Sequence, residues 1–135
     1  MTRPFNKFTV LSFVLAVLYF GSGASKLAGA EMQVQSFLRW NYPMWFLYLT
    51  GLLEVLGAGL LLAQSTRLVG TVVLGCVMLG AIVTHVAFGE FGMALAPVVL
   101  LLLLGWIGAA AKRPVLEGPS TAEYGRQAEH HRGSV

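Results

Sequence analysis

Four nearly charge-free apolar runs dominate this chain: roughly Phe8 to Ala28, Met44 to Ala63, Leu68 to Phe88 and Met93 to Ala111. Each is about 20 residues long, enough to cross a hydrocarbon core of ~30 Å as a helix rising 1.5 Å per residue. Lipid offers the backbone no hydrogen-bond partners, so such runs must satisfy their own amides, and that requires helices. The remaining composition agrees. Of 135 residues, 56% are hydrophobic and 11% charged, more apolar surface than a water-soluble domain of this size could bury. The expectation is one domain: an all-α integral membrane four-helix bundle over residues 1–111, antiparallel, followed by a disordered cytoplasmic tail over residues 112–135.

Arg3 and Lys7 ahead of an apolar stretch, with Ala28-Gly29-Ala30 after it, resemble a signal peptide. The stretch continues through small residues to Lys26, however, and an uncleaved helix is expected. Orientation follows from the basic residues. With the N-terminus inside, Arg3, Lys7, Arg67, Lys112, Arg113, Arg126 and Arg132 are cytoplasmic and only Lys26 and Arg39 lie outside. That asymmetry predicts an N-in/C-in protein of the cell inner (cytoplasmic) membrane. The same distribution argues against nucleic acid as a partner, because the basic residues flank the runs and form no patch with interleaved aromatics.

The longest connection, Gly29 to Pro43, has an apolar side made of Met32, Val34, Phe37, Leu38, Trp40 and Tyr42. It reads as an interfacial segment anchored among headgroups, or as a lid over a site that opens outward. The links Gln64–Arg67 and Gly89–Gly92 are short, so the helices they join are antiparallel neighbours. Gly80 and the Gly105/Ala109 pair read as packing seams.

The residues that hydrocarbon should exclude carry the functional signal. Glu54 stands near the centre of the second run and must be protonated, paired or turned into the bundle. Gly51 and Ala58 share its face and would let another helix approach closely. Lys26 near the end of the first run either snorkels to water or turns inward to a carboxylate. His85, with Thr84 adjacent, occupies the same half of the third run, and Tyr19 falls near the depth of Glu54. A shared region for these groups suggests proton transfer, with Glu54 and His85 as catalytic residues. Alternatively Lys26, Glu54, His85, Tyr19 and Thr84 bind the polar head of a lipophilic small molecule. No metal site is expected: Cys76 is the single cysteine, and His130 and His131 are a pair without companions. One cysteine also leaves the chain without a dithiol couple of its own.

Gly23-Ala24-Ser25-Lys26-Leu27, Met32 and Phe37, Tyr42-Pro43, Gly51-Leu52-Leu53-Glu54-Val55-Leu56-Gly57, and Met78-Leu79-Gly80-Ala81 with His85 occur in that order. Together they resemble the DoxX-like family of four-helix bacterial membrane proteins, over roughly Phe8 to Ala111. The resemblance implies a ligand-binding four-helix bundle, with Lys26, Glu54 and His85 at the polar positions of the family pattern. It also implies an accessory or quinone-interacting subunit of a membrane oxidoreductase system, with a quinone as possible ligand and an oxidoreductase as partner protein. Two alternatives stand beside it. One is a cofactor-free enzyme with isomerase-like acid–base chemistry on a lipophilic small molecule. The other is a binding or transport module, for which the small-residue seams permit a homo-oligomer.

Overall fold

The computed structural model describes residues 6–116 together with residues 126 and 129. Four long helices form: α1 (Lys7–Leu27), α3 (Met44–Leu62), α4 (Arg67–Ala87) and α5 (Phe91–Leu116), with a short helix α2 (Glu31–Arg39) between the first two. All four long helices are long and apolar enough to cross a membrane. Their limits agree with the four apolar runs to within a few residues, except that α5 continues to Leu116, past the expected end at Ala111. Apart from residues 126 and 129, the remainder of the expected tail, His130 and His131 included, lies outside the described residues.

α1 packs on α3, α3 on α4 and α4 on α5, and α5 returns more lightly to α1. The core draws on all four helices: Leu15, Ala16 and Tyr19 of α1, Ala58 and Leu61 of α3, Leu74 and Met78 of α4, Leu104 and Ile107 of α5. Large apolar residues such as Phe13, Leu56, Val83 and Leu102 stay exposed on the outside, where a bilayer solvates them.

Glycine decides where helices meet most closely. A Cβ on Gly23 would come within 2.6 Å of the Gly51 carbonyl oxygen, and one on Gly51 within 2.9 Å of the Gly23 carbonyl oxygen. α1 and α3 therefore cross backbone against backbone, near the α2 end of the bundle. A second close crossing joins α3 to α4 near the opposite end, where a Cβ on Gly70 would lie 2.9 Å from the Gly57 carbonyl oxygen. The seams expected at Gly80 and Gly105 are not formed within the chain, since a side chain at either would meet nothing within 4 Å. Spacing shows that small residues share a face; it does not show whether that face looks at protein or at lipid.

Each of α1, α2 and α4 ends in a left-handed residue: Gly29 at φ 66°, Asn41 at φ 55° and Gly89 at φ 71°. In all three the next residue donates its N–H back across the turn: Ala30 to Ser25 at 2.9 Å, Tyr42 to Phe37 at 2.9 Å, Glu90 to His85 at 2.8 Å. These Schellman closures satisfy the last helical carbonyls and reverse the chain sharply. At the other end Arg67 does the corresponding work, donating from Nε to the Leu61 carbonyl at 3.2 Å, so that a cation caps the negative end of α3.

Candidate functional site

Lys26 turns inward. Its Nζ donates to both Glu54 carboxylate oxygens, at 3.2 and 3.0 Å, and to Ser22 Oγ at 2.8 Å. An ammonium has three donors, and all three are used. Both members of the pair are buried, Lys26 at 9% and Glu54 at 3% exposure. The two glycines make this possible. Gly23 precedes Lys26 by three residues and Gly51 precedes Glu54 by three, so each glycine lies on its charged residue's face. A side chain at either would separate the helices that bring lysine and glutamate together.

Tyr19 lies two helical turns before Lys26 on α1 and packs within the core cluster. It is only 2% exposed, and the Glu54 carboxylate is within its electrostatic reach. Its hydroxyl has no hydrogen-bond partner among the described residues, and it is the one buried side-chain polar atom there in that condition. Phenol hydroxyls buried in apolar surroundings normally find a partner.

His85 belongs to a different group. Its Nδ1 lies 2.9 Å from Glu90 Oε2. A carboxylate only accepts, so Nδ1 carries the proton and Nε2 is left free. The α4 turn accounts for the pairing, because the Schellman closure folds residue 90 back over residue 85. Trp40 Nε1 also donates to Glu90, at 3.2 Å, and Arg39 Nε lies 3.2 Å from Glu90 Oε1. The Trp40 ring meets the His85 ring edge-on with centroids 5.2 Å apart. These donors, the His85 hydrogen bond first, hold the Glu90 carboxyl below its ordinary value of 4.5. Its hold on its partners is therefore present above the ordinary carboxylate value and fades as pH falls through the lowered one. Thr84 donates to the Gly80 carbonyl at 2.9 Å, which makes Tyr42 the donor in the 3.0 Å contact between their hydroxyls.

The polar residues expected in one region thus fall into two groups. Lys26 and Glu54 pair between α1 and α3, and Tyr19 lies two turns along α1 in the core shared by all four long helices. His85 and Thr84 face the α4–α5 turn and the end of α2. Among the described residues Glu54 and His85 share no hydrogen bond or ion pair; each pairs with a different partner. Sequence reasoning missed Trp40, Arg39 and Glu90 as members, and it placed Ser22 on the Lys26 face without counting it in the site. Ser22 stands four residues before Lys26, a signal that helical spacing carries. Glu90 reads as an ordinary acidic residue in a short loop until the turn and α2 are built around it.

The DoxX-like family model matches residues 10–107 of the chain. Over 44 residues the chain is 41% identical to the uncharacterized protein YdgD of Bacillus subtilis (strain 168), a stretch covering 33% of this chain and 39% of that protein. The chain therefore spans well under two thirds of that relative. No solved structure matches it.

Proposed function

The chain belongs to the DoxX-like family, and from that premise we propose that this multi-pass membrane protein holds the polar head of a lipophilic molecule between α1 and α3. The ligand class we favour is a quinone, and the role that of an accessory subunit in an oxidoreductase system of the bacterial inner membrane. With one cysteine the chain has no dithiol couple, so electron transfer is assigned to a partner protein.

The observation that carries this reading is the Tyr19 hydroxyl. Leaving a buried donor unmade costs about 1–3 kcal/mol, and phenylalanine would fill the same space without that cost. A carbonyl or hydroxyl on a bound head group would accept from Tyr19, and the Lys26–Glu54 pair, two helical turns along α1, would add its field to that group. The ion pair also favours binding over catalysis at this point. Both Glu54 oxygens already accept from Lys26.

The test compares wild type with Tyr19→Phe in thermal unfolding, with short-chain ubiquinone and menaquinone analogues and with a tail-only hydrocarbon. Quinone should raise the wild-type midpoint, the linkage reaching about 2.7 kcal/mol at one hundred times Kd, while the hydrocarbon should not. Tyr19→Phe should match or exceed the ligand-free wild-type midpoint and lose the response. A wild-type midpoint indifferent to every quinone sinks the reading.

A further inference from the structure

α2 is fixed by its two tips to opposite sides of the bundle. Its first tip hangs from α1, where Ala30 donates to the Ser25 carbonyl at 2.9 Å across Gly29. Its last tip reaches the α4–α5 turn. There a single carboxylate, Glu90, gathers Arg39 Nε at 3.2 Å, Trp40 Nε1 at 3.2 Å and His85 Nδ1 at 2.9 Å. A helix of nine residues is about 13 Å long. A rod of that length, held at those two places, crosses the end of the bundle, and it begins five residues beyond Lys26.

Between its tips α2 is held at one point, the Phe37 ring, which packs 6.2 Å from the Phe46 ring of α3. Phe37 is its one buried residue, and the Ser36 hydroxyl bonds within the helix, to the Met32 carbonyl at 2.9 Å. The Arg39 side chain is 53% exposed, so its ion pair with Glu90 is individually weak. A closure made of several weak bonds to one acceptor releases together when that acceptor is lost. Elements that open and close are drawn from this low-stability end of a structure.

We propose that α2 is a gate over the Lys26–Glu54–Tyr19 site, latched by the Glu90 carboxylate and turning on Gly29. The inference rests on the binding-site reading above for its purpose, but its geometry can be tested without any ligand. Glu90 is the latch because its carboxylate is the one charged group that gathers Arg39, Trp40 and His85 among the described residues, beside the Trp40–His85 ring contact and the Tyr42–Thr84 hydrogen bond. Gly29 is the pivot because its left-handed backbone joins α1 to α2 with no side chain to resist rotation.

The experiment uses the full chain in nanodiscs of phosphatidylethanolamine and phosphatidylglycerol. Acylation of Lys26 by an N-hydroxysuccinimide ester is read by peptide mass spectrometry and normalised to exposed Lys7. Hydrogen exchange over residues 31–40 is followed in parallel. Glu90→Gln keeps the shape and removes the charge. It should speed exchange in α2 and raise Lys26 acylation roughly tenfold, the effect of about 1.4 kcal/mol less closure. Arg39→Gln, which leaves the His85–Glu90 contact intact, should move both readings the same way but less, and it carries the test if Glu90→Gln does not fold. Faster α2 exchange with Lys26 still protected would show that α2 does not cover the site. Unchanged α2 exchange would show that Glu90 is no latch. Either result overturns the proposal. Neither reading involves a quinone, so failure of Tyr19→Phe to alter a quinone response counts against the binding reading alone.

Discussion

At the scale of single residues, the Lys26–Glu54 pair is where membrane energetics bears hardest. Two charges have left water, and each is tolerable only because the other is within 3.0 Å. Removing one partner leaves the other buried and uncompensated, which in protein interiors costs about 3–5 kcal/mol. Replacing both with apolar residues removes that penalty. Glu54→Gln alone should therefore lower the unfolding midpoint clearly, whereas Lys26→Met with Glu54→Leu should restore most of it; a double variant as unstable as the single one would refute the account. The same double variant should be unable to bind a polar head group, which separates the structural role of the pair from its proposed use. Lys26 and Glu54 were legible in the sequence because hydrocarbon tolerates so few charges that each one present needs a partner. Glu90 was not. Its importance comes from a chain reversal that folds it onto His85 and from a helix that brings Arg39 and Trp40 to it, and neither is written in its neighbours.

At the scale of elements, helix approach depends on where glycine faces protein. Gly21 and Gly23 are two residues apart on α1, yet a side chain at Gly21 meets nothing within 4 Å while one at Gly23 collides with α3. Gly23→Ala should destabilise by about 1–3 kcal/mol, the usual penalty for overpacking, and Gly21→Ala should leave the midpoint unchanged or slightly raised. Equal effects at the two positions, read by thermal unfolding in detergent, would remove the close crossing from the argument. The four spans themselves were plain from length and hydropathy. The choice between protein-facing and lipid-facing glycines was not, since in this chain both surfaces are apolar. The segment before Pro43 was read as an interfacial anchor or a lid, and its helical form fits the spacing of Val34, Phe37 and Leu38, three and four residues apart.

At the scale of the whole molecule, the two ends differ in how they hold cations. The α2 end has Lys26 and Arg39, each engaged by a glutamate. The opposite end carries Lys7, exposed, and Arg67, which caps α3. With the C-terminal basic residues added, we expect the α2 end to face away from the cytoplasm. A single cysteine placed at exposed Gln35, in a Cys76→Ala background, should react in intact cells with a membrane-impermeant maleimide, while one at exposed Ser65 should react only after the membrane is opened. The reverse pattern would invert the orientation.

The pairing of Gly23 with Lys26 and of Gly51 with Glu54 also bears on inheritance. Room for the pair is made by the glycines, and the pair gives two glycines in mid-helix their reason to stay. A lineage that loses the lysine relaxes the need for so close a crossing, and one that fills either glycine strands a charge. Across related sequences these four positions should be kept or surrendered together, as a single heritable character distributed over two helices.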